Sequence, residues 1–213
     1  MRSTLPELKA VSMRRGVADI LREALLSGDF SPGEELLEVH LASQLKVSRG
    51  PIREALLILS EEGLVVHSQN RGFSVLQLTE EDLQEISEVR LPLEALALEL
   101  SRDRISKEKL AELEELKNRI MENLSAGDYR QSVRNDLEFH QIIWESTENA
   151  WLVAALKRIM IPRFTFTMVY RMKEPKLTPA VLKDTHDAYL QFLRRESSRS
   201  AEECVRLHLS LGP

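Results

Sequence analysis

The stretch Leu45-Lys46-Val47-Ser48-Arg49-Gly50-Pro51-Ile52-Arg53-Glu54-Ala55-Leu56 decides the fold of the first third of the chain. Ser48 is a good helix cap, and Pro51 falls in the first helical turn, where its missing N–H costs nothing. Ile52, Ala55, Leu56 and Leu59 recur at helical spacing and give that helix one inward face, until Gly63 stops it. Upstream, Leu41, Ala42 and Leu45 mark a short helix. Val17, Ile20, Leu21, Ala24 and Leu25 mark another over about 12–27, ended by Gly28. Downstream, Leu64–His67 and Phe73–Leu76 are β-prone runs joined by Ser68-Gln69-Asn70-Arg71-Gly72, a hairpin loop. Three helices followed by a hairpin predict a winged helix-turn-helix.

In that fold the third helix enters the major groove with its N-terminal residues at the base edges. Arg49 and Arg53 stand at i and i+4, on one face. Arginine reads guanine O6 and N7 with two hydrogen bonds. Ser48 at the helix N-terminus can hold a phosphate, and Asn70, Arg71 and Gly72 form the wing tip. The two arginines read equally as a solvated face. The charge balance leans against DNA: the whole chain carries −5, and residues 1–78 hold nine Lys/Arg against ten Asp/Glu. Yet Lys46, Arg49, Arg53 and Arg71 gather on the expected DNA face, and a local field acts within a Debye length of about 8 Å.

The run from Leu37-Glu38 through Leu41-Ala42, Leu45–Leu56 and Glu62-Gly63-Leu64-Val65 resembles the DNA-binding domain of GntR-type bacterial transcription regulators. The resemblance implies that Arg49 and Arg53 contact double-stranded operator DNA and that the wing contributes near Asn70, Arg71 and Gly72; Ser48 and Lys46 join them on the residue reading above. Two positions depart from the family pattern. Lys46 stands where a turn glycine is usual, and Val39 stands where some members carry a DNA-contacting arginine.

Glycine and proline punctuate the chain unevenly. Six of eight glycines precede residue 73, while Phe73 to Ile161 holds only Gly127 and Pro92. A boundary near residue 78 follows, with a DNA-binding domain over 1–78 and an all-α domain over 79–213. Helices are expected at 80–103, 107–125, 129–146, 149–172, 179–196 and 200–210, the first capped by Thr79 with acids in its opening turn. Short connections make an antiparallel bundle. The fold class is therefore mainly α, a winged helix-turn-helix followed by a helical bundle. Leu91, Leu93, Leu96, Leu98 and Leu100 exceed one stripe, so the 80–103 helix is expected to bury one face in its bundle and one against a partner. Trp144 and Trp151 read as core. No apolar run approaches the ~20 residues of a membrane span. Met1–Pro6 has no leader-like apolar core, and the lone Cys204 suits a reducing cytoplasm.

Three histidines, His140, His186 and His208, lie in the expected helices of the second domain; His40 and His67 lie in the first. Asp136 and His140 are i and i+4. Taken singly, each histidine reads as an ordinary core or surface residue. Antiparallel packing can also bring Asp136, His140, His186 and His208 to one point, a donor set suited to Zn²⁺, Ni²⁺, Mn²⁺ or Fe²⁺ with positions left for a ligand. Together with Arg90-x-x-Leu93-Glu94 and Asp128-Tyr129, these residues resemble the FCD-type ligand domain of the FadR-like GntR subgroup. The two resemblances cover about residues 12–210. The second implies a divalent transition metal, zinc foremost, on Asp136, His140, His186 and His208. It also implies a small carboxylate or sugar-acid effector beside the ion. Arg90 reads either as the carboxylate fork for that acid or as an ion pair with Glu94. Arg134, Asn149, Tyr170 and Arg171 are further lining residues.

The expected protein is a non-enzymatic regulator, a repressor, binding a two-fold operator as a homodimer. An ion-sensing regulator is the alternative. A metal-dependent hydrolase is a remote one, since neither Glu138 nor Asp187 is clearly placed as a general base.

Overall fold

Periodicity and caps account for the elements of the computed structural model, which describes residues 11–69, 71–167 and 179–209. Two units divide the chain, Met1–Gln77 and Leu78–Pro213.

In the first unit α1 runs Val11–Ser27, α2 Glu38–Leu45 and α3 Arg49–Glu61. Helix α1 ends on Gly28 at φ 75°, where the Gly28 amide donates to the Leu25 carbonyl. Helix α2 ends on Lys46, also left-handed at φ 53°. Ser48 is extended and opens α3, whose Ile52, Ala55, Leu56 and Leu59 are buried. Strands β1 (Val65–Ser68) and β2 (Gly72–Val75) pair antiparallel, from Val65 opposite Val75 to Ser68 opposite Gly72. Each starts within a residue of its expected place. One pairing was not legible. Glu35 bridges to Ser74, the Leu36 amide donates to the Phe73 carbonyl at 2.8 Å, and the Val75 amide donates to Glu34 at 2.8 Å. Glu34-Glu35-Leu36 carries no alternating pattern, so only its partner reveals it as extended.

In the second unit α4 (Glu80–Arg102), α5 (Lys107–Ser125), α6 (Tyr129–Glu145), α7 (Ala150–Phe166), α8 (Pro179–Leu193) and α9 (Ala201–Leu209) follow one another. Thr79 and Asp82 close a capping box on α4. Ser106, Asp128 and Asn149 cap α5, α6 and α7. Two apolar clusters form. One joins Leu98 to Leu113, Leu116, Ile120, Phe139 and the apolar side of α8 and α9. The other joins Ala97 to Trp144, Leu152, Leu156, Met160 and Phe164. Four of the five leucines of α4 are accounted for within the unit: Leu98 lies in the first cluster with Leu91 packed against it, and Leu93 and Leu100 pack against the second. Leu96, with Val89 one heptad before it, stays exposed.

Candidate nucleic-acid interface and metal centre

At the N-terminus of α3, Arg49 and Arg53 project into solvent, their side chains 65% and 60% exposed. Glu38, at the start of α2, spans both: Oε2 accepts from Arg49 Nη2 at 2.9 Å, and Oε1 lies 3.6 Å from Arg53 Nη1. A carboxylate between two guanidiniums spaced four apart orients both toward the same side, at the modest strength of a solvated pair. Ser48 is exposed and its hydroxyl makes no cap bond, which leaves the oxygen available to a phosphate. Arg49, Arg71 and Gly72 line one groove of about 280 Å³ with Glu38 and Val39, so the reading helix and the wing meet there. Gly72 has φ 76°, a conformation glycine adopts without penalty. Lys46 is exposed. Asn70 lies outside the described residues.

The second constellation is built from four helices. His140 on α6, His186 on α8 and His208 on α9 are buried, and each offers a ring nitrogen within 4.8 Å of the others. His140 Nε2 and His208 Nε2 are 3.2 Å apart. Asp136, one turn before His140, sets Oδ1 2.8 Å from His186 Nε2 and 3.6 Å from His140 Nε2. Phe139 packs edge-on to His186 at 4.8 Å between ring centres. Trp144 and Phe164 flank His140 at 6.0 and 5.8 Å. Three imidazoles and a carboxylate converging in an apolar wall form a donor set that fits a divalent transition metal.

Helix α4 adds a buried ion pair. Arg90 Nε donates to Glu94 Oε2 at 2.9 Å, both side chains nearly inaccessible. The other carboxylate oxygen, Oε1, lies 3.2 Å from His140 Nδ1, and Tyr189 donates to Oε2 at 3.5 Å. Burial alone raises a carboxyl, but Arg90 and then His140 outweigh it and hold Glu94 far below the usual carboxylate range. Asp136 is likewise pulled down, His186 overcoming its burial. His208 is pushed well below 6.5, by burial first and then by His140 and Arg90. Arg90 Nη2 is buried and finds no partner among the described residues. A buried guanidinium with one unsatisfied N–H edge suits an anionic guest.

Of the two readings offered for Arg90, the ion pair with Glu94 is present through Nε, while Nη2 is left without a partner among the described residues. Other expected lining residues fare differently. Arg134 is exposed on α6: two residues before Asp136 is about 200° around the helix, so the two cannot face one cavity. Asn149 is engaged as the α7 cap, its side chain accepting from the Leu152 amide at 3.1 Å. Tyr170 and Arg171 lie outside the described residues. Trp144 is buried as expected, but Trp151 is 88% exposed, because Leu152 is the residue that α7 turns inward. Thr185 and Tyr189, both buried, were missed; a threonine beside His186 was the available signal. Glu138 is exposed and Asp187 accepts from Lys117 at 2.7 Å. His67 stacks on Phe73 in the first unit, 4.5 Å between ring centres.

Comparison with known proteins follows the same division. Residues 13–75 match the family of bacterial regulatory proteins, gntR family, and residues 85–211 match the FCD domain. The Nta operon transcriptional regulator of Aminobacter aminovorans is 30% identical over 87% of this chain and 84% of its own length. The gluconate operon transcriptional repressor of Bacillus subtilis (strain 168) is 30% identical over 84% of this chain and 74% of its own. The solved structure of E. coli McbR/YncC superposes with a TM-score of 0.72 at 25% identity, covering 94% and 95% of the two chains.

Proposed function

The chain belongs to the gntR family of bacterial regulatory proteins and carries an FCD domain; from that premise we propose a repressor whose operator affinity is set by a small organic acid bound beside a divalent metal. DNA-binding transcription regulation is the activity of the family. The observation that carries the finer reading is the buried His140–His186–His208 cluster with Asp136 and the open Nη2 edge of Arg90. Asp136, His140, His186 and His208 hold the ion, zinc foremost. When bound, the ion supplies a Lewis-acidic centre for an anionic oxygen. One carboxylate among the four donors leaves about one positive charge, which a carboxylate or sugar acid neutralises while Arg90 grips it.

On the DNA side, Arg49 and Arg53 read base edges, Ser48 and Lys46 hold phosphates, and the wing through Arg71 and Gly72 adds backbone contacts. Asn70 joins them at the wing tip. The regulator acts as a homodimer on a two-fold operator. Val89 and Leu96, exposed one heptad apart on α4, support a second copy as the partner of that helix face. The place of action is the cytoplasm, and no helix among the described residues is long and apolar enough to cross a membrane. The acid acts only through differential affinity for the DNA-bound and free arrangements.

The test is promoter-DNA retardation by zinc-loaded protein, titrated with organic acids, paired with a thermal-shift screen of the same acids. Acids that stabilise wild type but not Arg90→Lys, and that change DNA affinity, bear the reading out. A response of DNA affinity to the ion with none to any acid replaces it with ion sensing.

A further inference from the structure

An imidazole that gives Nε2 to a metal carries its proton on Nδ1, and that proton needs an acceptor. The three histidines meet this need unequally. His140 Nδ1 lies 3.2 Å from Glu94 Oε1, a buried oxygen with no aligned hydrogen-bond partner among the described residues and so in need of a donor. A carboxylate paired with a guanidinium through its other oxygen accepts hydrogen bonds, so this contact favours a proton on the nitrogen facing it. His208 Nδ1 lies 3.2 Å from Thr185 Oγ1, and His186 Nδ1 lies 3.5 Å from the same oxygen. One hydroxyl offers two lone pairs, enough to accept from both rings. The Nε2 atoms of all three rings lie on the opposite side, His140 and His208 against each other and His186 against Asp136.

We propose that Glu94 and Thr185 are positioning residues: together they hold the three imidazoles as Nδ1–H tautomers, so that three Nε2 lone pairs and the Asp136 carboxylate converge on one ion. The inference rests on the metal reading above. It adds that the pocket is not three interchangeable histidines. His140 alone is backed by a full carboxylate. His186 and His208 share one neutral hydroxyl and depend on it jointly. Glu94 also ties the metal side to Arg90, because its two oxygens serve His140 and Arg90 separately. Thr185 does the same between α8 and α9, since the oxygen that backs His186 on its own helix also backs His208 on the next.

The experiment uses the full ¹⁵N-labelled chain, chelator-treated and zinc-loaded, with histidine tautomers read from long-range ¹H–¹⁵N correlations and zinc affinity read by competition with a chromophoric chelator. Thr185→Val keeps the shape and removes the acceptor; Thr185→Ser restores it. Glu94→Gln keeps the shape and removes the charge. Wild type should show His140 as Nδ1–H even after chelation, and Glu94→Gln should mix its tautomers. Thr185→Val and Glu94→Gln should each weaken zinc binding about 10- to 100-fold, with Thr185→Ser close to wild type. An Nε2–H His140 in the chelated wild type overturns the proposal, as does zinc binding within about twofold of wild type in both Glu94→Gln and Thr185→Val. If wild type and His140→Ala alike fail to bind zinc, the metal reading falls, and the tautomers of the chelated protein still decide the roles of Glu94 and Thr185. Circular dichroism checks that Glu94→Gln folds; Thr185→Val tests the idea without disturbing a charge.

Discussion

The two units treat charge in opposite ways. In the first, the groups proposed to read DNA stand in solvent, Arg49 and Arg53 bridged by Glu38, and the buried side chains described beneath them are apolar. Among the described residues, every buried polar or charged side chain lies in the second unit, from Arg90 and Glu94 through Lys117 and His140 to Thr185, His186 and His208. The difference fits the two roles proposed for these surfaces. A phosphate backbone carries its own charge and displaces weak solvated pairs, so a DNA reader keeps its arginines accessible. Charges gathered in a dry interior, as in the second unit, each need a designated partner, and an unsatisfied one costs most.

The largest expected effect tests that contrast directly. Arg90→Ala leaves Glu94 buried without its cation and should destabilise the second unit by about 3–5 kcal/mol, read by urea denaturation. Tryptophan fluorescence reports that unit alone, because the chain's two tryptophans are Trp144 and Trp151. If Arg90→Ala unfolds at the wild-type urea concentration, the pair is not the keystone described.

Arg49→Ala should do the reverse, leaving stability unchanged while operator affinity falls by about 1–3 kcal/mol, or roughly 5- to 150-fold. Retardation of promoter DNA at fixed salt measures it, and equal losses on specific and random DNA would make Arg49 a phosphate contact instead.

Acid should separate the units next. His208 has a folded-state pKa below its ordinary 6.5, so its neutral form is favoured by folding. Its contribution is complete above about pH 6.5 and is lost as pH falls from there toward the folded value. Glu94 and Asp136, also depressed, lose theirs below about pH 4. In chelator-treated protein, segment-resolved hydrogen exchange should therefore show α6, α8 and α9 loosening on acidification before α3 does. Simultaneous loosening of α3 removes the distinction.

Lys46→Gly is the smallest change. Lysine at φ 53° carries left-handed strain that glycine lacks, partly offset by glycine's greater freedom when unfolded. A gain of about 0.5–1 kcal/mol in the first unit, with weaker DNA binding from the lost charge, is expected from thermal melts and retardation. A loss of stability means the side chain packs better than its exposure implies.

How much of this was legible depends on range. The α3 face, the Gly28 and Gly63 stops, the Thr79 cap and the two-region division all rest on residues within a turn or two of one another. Local periodicity carries that information in full. The Asp136–His140 pair is equally local. Its meeting with His186 and His208 is not, and the resemblance rather than spacing pointed to it. Arg134 and Trp151 show the limit: each sits within two residues of an inward-facing position, and only the helix phase against its neighbours separates inside from outside.

The sequence by itself determined which residue types were available, that two differently punctuated regions exist, and that one helix presents two arginines on a single face. These follow from chain-local rules of capping, spacing and turn chemistry. Only the tertiary structure decided that Glu34–Leu36 joins the wing, that Glu38 bridges both arginines, and that Glu94 and Thr185 stand behind the imidazoles. The physical reason is that a partner brought from 11, 46 or 23 residues away is chosen by packing. Packing optimises a whole interior rather than any stretch of chain that can be read alone.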